Sequence, residues 1–277
     1  MKLLVTGGTG MIGDGVIPAL LAAGHDVRIL SRGAQEDARQ WPEHVEAFPA
    51  DVADAASLEG CVTGCDAIVH IVGIAKETAS ETFATINVEG TRNIVAEAER
   101  AGVERFVFMS SLGADRGESE YHRSKRSAEE IVRGFKGSWV ILRPGKVYGP
   151  GDEAISMLLR MVRTLPIVPM VAGGDQSFQP IWYRDLGVAV AKVLENEKLT
   201  NVALDIAGSE VTTTQDILDR LSKLTGDSPH RVRVPKLVVS LGVRVAHALG
   251  VDLPIDQQKL TMLLEENVIH DGSTNGL

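Results

Sequence analysis

Two cysteines in 277 residues, Cys61 and Cys65, are too few and too close together to frame a secreted disulfide scaffold. They read as small buried side chains. Basic charge is also scarce: 28 Lys and Arg stand against 37 Asp and Glu, a net charge of -9, so no surface for nucleic acid or another polyanion is expected. No uninterrupted apolar stretch reaches the length of a bilayer, and no membrane span is expected. The first strand begins at Lys2, which leaves no room for a signal or transit peptide and makes a cytoplasmic protein the expectation. The seven histidines contain no HExxH or CxxC-type pairing, so no metal site is expected. Internal repeats and low-complexity tracts are absent. What remains is a globular chain with 44% hydrophobic residues, long enough for one large domain with a smaller appendage.

Short apolar runs alternate with helical patterns along the first two thirds of the chain. The runs are Lys2 to Thr6, Asp26 to Leu30, Val45 to Phe48, Ala67 to Ile71, Arg105 to Met109, Trp139 to Leu142 and Val202 to Ile206. Strands that are nearly continuously apolar and separated by helices predict a parallel α/β sheet of about seven strands covered on both faces. Helices are expected over Ile12 to Ala23, ending at Gly24, and over Val88 to Ala101, ending at Gly102. Pro18 predicts a kink near Asp14 in the first of them. After Gly151 the alternation weakens, and beyond Gly208 the pattern reads as wholly helical: Thr212 to Thr225, Lys236 to Leu249, and Ile255 to about Asn267, with a frayed tail from His270. The expected organisation is a doubly wound domain over 1–150 and 179–207. A small, mainly helical lobe over 151–178 and 208–277 would cap the carboxyl ends of the strands.

The first strand runs into Thr6-Gly7-Gly8-Thr9-Gly10-Met11-Ile12-Gly13, a GxxGxxG turn between strand and helix. Gly7 can take the positive φ of the turn, Gly10 lets backbone approach a phosphate, and Gly13 lets the helix pack close on the strand. The N–H groups of that helix start, together with its dipole, suit a dinucleotide pyrophosphate. The second strand ends at Leu30-Ser31-Arg32, where a hydroxyl and a guanidinium suit a 2′-phosphate and so NADP, with NAD the other candidate. Glu36 and Asp37 follow closely enough to pair with Arg32 instead. Asp51-Val52 follows the third strand, where the carboxylate reads equally as an adenine contact or a helix N-cap.

The fifth strand leads to Ser110-Ser111, and ten residues later comes Tyr121-His122-Arg123-Ser124-Lys125. Tyrosine and lysine four apart share a helix face. A nearby ammonium lowers a phenol's pKa, and a serine hydroxyl can hold the substrate oxygen whose proton the tyrosine exchanges. Ser111, Tyr121 and Lys125 are therefore the candidate catalytic triad for hydride transfer between a nicotinamide and a carbonyl or alcohol. His122, next to the tyrosine, should point off that face, and His70 on its strand reads as a core or crevice histidine. The apolar stretch Leu237 to Val243 reads first as packing within the lobe, and second as a membrane-surface or partner contact.

These pieces together resemble the extended or atypical short-chain dehydrogenase/reductases, of the NAD-dependent epimerase/dehydratase kind. The resemblance runs from Met1 to about Ala207 and includes Arg143 to Pro150, Asn87 to Thr91 and Tyr183 to Leu186. Within that superfamily the chain is most similar to the branch of the Rossmann-type accessory subunit of respiratory complex I. Ser111 to Ala114, Tyr121 to Lys125, Gln179 to Ile181 and Leu263 to Val268 carry that likeness. The resemblance implies a Rossmann fold and nucleotide contacts from Thr6, Gly7, Gly10, Met11, Ile12 and Gly13. It adds Ser31, Arg32, Asp51 and Val52, then Val72 and Gly73 after the fourth strand, and finally Lys125 and Pro144. It implies either an oxidoreductase or epimerase/dehydratase-like enzyme with a small-molecule substrate, or a protein holding its nucleotide for structure or sensing. The second kind would act as an accessory or assembly factor of a respiratory NADH dehydrogenase or other complex. A homodimer or an accessory contact with a membrane complex is the expected partnership. Only nine residues separate Ser111 from Tyr121, fewer than extended sugar-nucleotide enzymes carry, which argues against a nucleotide-sugar substrate.

Overall fold

Leu3, Leu4 and Val5 are fully buried although successive strand residues face opposite sides of a sheet, so both faces must be covered. The computed structural model describes residues 1–38, 41–42, 45–235, 237–240, 261 and 265–270. Its strands are β1 (Lys2–Thr6), β2 (Asp26–Ser31), β3 (Val45–Pro49), β4 (Ala67–His70), β5 (Arg105–Met109), β6 (Ser138–Pro144), β7 (Val147–Tyr148), β8 (Ile167–Val171), β9 (Ser177–Phe178), β10 (Ile181–Trp182), β11 (Val202–Ile206), β12 (Thr212–Thr213) and β13 (His230–Val234). Its α-helices are α1 (Met11–Ala22), α2 (Ala34–Asp37), α3 (Gly90–Ala101), α4 (Glu120–Arg133), α5 (Ala154–Thr164), α6 (Tyr183–Glu195) and α7 (Thr214–Thr225). Seven strands form one parallel sheet in the order β11-β6-β5-β4-β1-β2-β3. Chain order reverses between β1 and β4, and in such sheets the crevice beyond that pair of strand ends is the ligand site.

On one face Leu3 and Val5 pack with Val16, Ile17 and Leu20 of α1 and Leu186, Val190 and Val193 of α6. On the other, Leu4 joins Ile94 and Ala98 of α3 and Ala128 and Val132 of α4. Helices α1 and α6 meet at glycine, since a Cβ on Gly187 would lie 2.1 Å from the Gly15 carbonyl oxygen. α1 runs as one helix through Pro18, so the expected kink does not interrupt it. The expected helix from Val88 begins earlier: Phe83–Glu89 winds as a wider π-type turn, capped reciprocally by Thr82 and Thr85, and feeds α3. Cys61 and Cys65 are buried, and burial pushes the Cys61 thiol up to about 12, so it packs as a small hydrophobe.

A separate small core of Val162, Val168, Met170 and Leu218 holds α5, β8 and α7 together. The segment beyond Gly208 carries two short strands among its helices, which corrects the sequence expectation that it is wholly helical. Thr212–Thr213 pairs antiparallel with β9, and His230–Val234 pairs parallel with β8 along its length. The alternating His-Arg-Val-Arg-Val carries a period of two, but such a short strand is decided by the partner it finds. Of the two further helices expected, Leu237–Ser240 is helical with Leu237 and Val238 exposed, and the other described residue is Thr261; the rest of 241–264 lies outside the described residues, as does 271–277 of the tail. Asn267 is not helical but forms a bridge with Phe178.

Candidate functional site

A cavity of about 460 Å³ opens over the carboxyl ends of β1, β2 and β4. Its floor is the glycine turn. Gly7 has a φ of 72°, and a Cβ there would meet the backbone of Val72 at 2.9 Å. A Cβ on Gly13 would lie 2.1 Å from the Gly8 carbonyl, so only glycine lets α1 sit this low on the turn. Gly10, the residue before α1, offers no side-chain cap, leaving the first N–H groups of the helix open to an incoming anion. Gly7, Gly10, Met11 and Ile12 line the cavity, as do Ser31, Arg32, Asp51, Val52, Val72 and Gly73. Gly13 acts from beneath. Thr6 is fully buried under the turn, where it shares a 2.7 Å hydrogen bond with His70 Nδ1 and accepts from the Val72 N–H at 3.4 Å; it supports the cavity floor and does not line it. Pro144 is buried at the end of β6, and its carbonyl accepts from Leu112 N at 2.9 Å.

The Ser31 hydroxyl is buried with no hydrogen-bond partner, an orphan polar atom at the cavity wall. Beside it Arg32 is paired, with neither Glu36 nor Asp37: its Nη1 donates to Glu81 Oε1 at 2.6 Å and lies 3.9 Å from Asp51 Oδ2. Glu81 went unnoticed in the sequence because it sits in the irregular stretch after β4, 49 residues from Arg32. Asp51 is neither a helix cap nor free; its Oδ1 accepts from Ala53 N at 2.9 Å, while Asp54 caps the short 3₁₀ turn Ala55–Leu58.

Lys125 reaches the cavity from α4. The Nζ atom is so close to Gly73 that a Cβ there would stand 2.7 Å from it, and it donates to Met109 O at 3.1 Å. Lys125 is 3% exposed, and its desolvation lowers the amine to about 8 against the pull of Glu129. One helical turn earlier, Tyr121 packs edge-on to Phe83. Burial raises its phenol above the ordinary value, and Ser111 acts in the opposite direction. The expected lowering by the Lys125 ammonium is not realised: burial governs the phenol, and Ser111 is the polar neighbour that opposes it. The Ser111 hydroxyl, whose own bond goes to the Leu112 carbonyl at 3.5 Å, stands near enough to the phenol to favour its charged form, and Lys125 approaches the cavity lining at Gly73.

Neighbouring groups fix this arrangement. Asn87, buried in the π-type turn, donates to Ser124 Oγ at 2.9 Å and to Ile74 O at 3.1 Å while accepting from Ile74 N at 2.8 Å, tying α4 to the cavity wall. His70 is fully enclosed, bonded to Thr6 and Thr91 and stacked on Phe108; its pKa falls to about 3, chiefly through burial with Lys125 adding to it. It is a neutral core histidine. His122 turns away from the Tyr121 face toward Gly117 and the C-terminal segment. Among the described residues no cluster of three His, Cys, Asp or Glu side chains could hold a metal ion, and no helix is long and apolar enough to cross a membrane.

A parallel sheet with this reversal, a glycine turn beneath its crevice and a tyrosine and lysine one turn apart on α4 agrees with the family whose pattern matches residues 3–207, described as the NAD dependent epimerase/dehydratase family. The chain belongs to that family. Relatives include a ceramide reductase of Caulobacter vibrioides, 28% identical over 83% of this chain and 73% of its own length. A sterol demethylase protein B of Methylococcus capsulatus is 31% identical over 85% of this chain and 78% of its own. The NADH dehydrogenase [ubiquinone] 1 alpha subcomplex subunit 9 of Arabidopsis thaliana is 24% identical over 83% of this chain, which spans 60% of that protein. Among solved structures the UDP-glucose 4-epimerase of Thermus thermophilus, in complex with NAD, superposes with a TM-score of 0.71 at 23% identity, covering 95% of this chain and 97% of that one. That likeness is one of fold.

Proposed function

We propose that this chain is a nicotinamide-dependent oxidoreductase of the epimerase/dehydratase type, acting on a carbonyl or alcohol of a small molecule. The observation that carries the reading is the placement of Tyr121 and Lys125 one turn apart on α4, with the lysine amine meeting the cavity lining at Gly73 and Ser111 beside the phenol. The glycine turn and the open start of α1 would hold the pyrophosphate, Ser31 and Arg32 the adenosine ribose, and Lys125 the other ribose. When bound there, a nicotinamide supplies or accepts the hydride. Ser111 would hold the substrate oxygen. Tyr121, kept protonated at neutral pH by its burial, would give that oxygen a proton in reduction and take it back in oxidation.

The preferred dinucleotide in this reading is NADP, on the strength of the orphan Ser31 hydroxyl and Arg32, with Glu81 exchanged for the 2′-phosphate. A second reading, a nucleotide held for structure in a larger assembly, is favoured by the Arabidopsis relative. Turnover against a panel of carbonyls, alcohols and quinones, set beside mass spectrometry of any copurified nucleotide, separates the two. Turnover that Tyr121→Phe cuts by about a hundredfold or more, with nucleotide affinity intact, supports the enzyme. A bound nucleotide that never changes redox state supports the assembly role.

A further inference from the structure

The described segment Glu265–His270 is far in sequence from the cavity, yet it grips both carriers of the Ser111–Tyr121 pair. Glu265 reaches the start of α4: its Oε1 accepts from Glu118 N at 2.6 Å and Ser119 N at 2.7 Å, while its Oε2 accepts from Ser119 Oγ at 2.8 Å and His122 Nδ1 at 2.5 Å. Tyr121 lies between Ser119 and His122, two of the three residues held. Asn267 reaches the other carrier. Its Nδ2 donates to the carbonyl of Leu112, the residue after Ser111, at 3.1 Å, and its Oδ1 accepts from Lys146 N at 2.9 Å. Arg116, between the two, donates to Val268 O at 3.0 Å.

These bonds are sheltered. His122 and Asn267 are buried, and the Glu265 side chain is 18% exposed. Burial works against the charge on Glu265, but the Ser119 N–H and hydroxyl, with His122, outweigh it and hold the carboxyl below its usual range. The connection from Ser111 to Tyr121 is a run of turns, closed by Ala114 N on Ser111 O at 2.9 Å and Gly117 N on Gly113 O at 2.7 Å, and it passes through Gly113 at a φ of 93°. Ser119 already caps α4 by accepting from His122 N at 3.3 Å. The additional hold by Glu265 fixes where that cap stands relative to Leu112.

We propose that this strap is a clamp that sets where Tyr121 stands relative to Ser111, with Glu265 and Asn267 as positioning residues. The inference rests on the proton-transfer role proposed for Tyr121, so its test has one readout that needs no turnover. The chain has three tyrosines, and Tyr121 ionisation can be isolated by ultraviolet difference titration of each variant against the same variant carrying Tyr121→Phe. Because burial is the larger influence on Tyr121, loosening the clamp in Glu265→Ala or Asn267→Ala should lower its midpoint toward the ordinary phenol value. Glu265→Gln keeps the side chain's size and an acceptor for the backbone, and should move it less. On a substrate the enzyme turns over, kcat should fall about tenfold in Glu265→Ala with KM and nucleotide affinity within about twofold, and Glu265→Asp should restore part of it. A lower melting temperature with an unmoved Tyr121 midpoint would make the strap a structural fastening only and overturn the proposal. If Glu265→Ala does not fold, an unmoved midpoint in both Glu265→Gln and Asn267→Ala overturns it equally. Absence of any turnover by the unaltered protein would sink the enzymatic reading while leaving the titration to judge the clamp.

Discussion

Replacing Glu81 by glutamine should raise affinity for NADPH and leave NADH nearly unchanged. Arg32 and Glu81 meet at 2.6 Å, but their side chains are 66% and 23% exposed, so breaking that pair costs at most about 1 kcal/mol. A charge-assisted bond from Arg32 to a phosphate returns about 1.5–3 kcal/mol, leaving a net preference for NADPH of roughly two- to 150-fold. The displaced carboxylate continues to repel a phosphate of about two charges. At a separation of about 6 Å in water that repulsion is about 1.4 kcal/mol, and about half as much at physiological salt. Glu81→Gln removes it, so the ratio of NADPH to NADH affinity should rise about three- to tenfold, more at low salt than at high. Arg32→Ala should abolish the preference without weakening NADH. Calorimetric titration of both nucleotides at two salt concentrations measures all of this. A ratio unchanged in Glu81→Gln, or NADH tightening as much as NADPH, would refute the exchange and remove Arg32 from the 2′ position.

Tyr121→Phe should keep the fold and nucleotide affinity while slowing turnover by about a hundredfold or more, because only proton transfer is lost; stopped-flow measurement of the hydride step checks it. Lys125 titrates near 8 when folded and at 10.5 when unfolded, so between these values the unfolded chain holds more protons and stability rises with pH. The unaltered protein should therefore gain melting temperature relative to Lys125→Met across that window, and a constant difference would contradict the burial of a charged amine. Gly13→Ala drives a Cβ against the Gly8 carbonyl and should cost about 1–3 kcal/mol, together with weaker nucleotide binding, read by thermal melting with and without NADPH. Equal melting temperatures would mean that α1 can rise off the turn freely.

Much of the architecture was legible in the sequence because it is written in short-range patterns. The seven strands announce themselves as apolar runs bounded by turns, and all seven pair in one parallel sheet. The glycine spacing of Gly7, Gly10 and Gly13 reports a backbone with no room for Cβ atoms, a property each glycine carries with it. Tyr121 and Lys125 are one helical turn apart, so their shared face follows from the helix period alone. Other features depend on which distant segments meet. Arg32 finds Glu81, 49 residues away, where the sequence offered Glu36 and Asp37 as alternative partners, because the stretch after β4 folds back over the end of β2. His230–Val234 is a strand because β8 offers it a parallel edge, although its surroundings read as helix. The Tyr121 phenol is raised because the packing around it partly desolvates it, which no spacing of residues in one helix can report. The hold of Glu265 on the start of α4 spans 146 residues from Ser119. Local periodicity determined the elements and the ingredients of the site; charge pairing, burial and the final positions of those ingredients are long-range properties, decided only when the chain closed on itself.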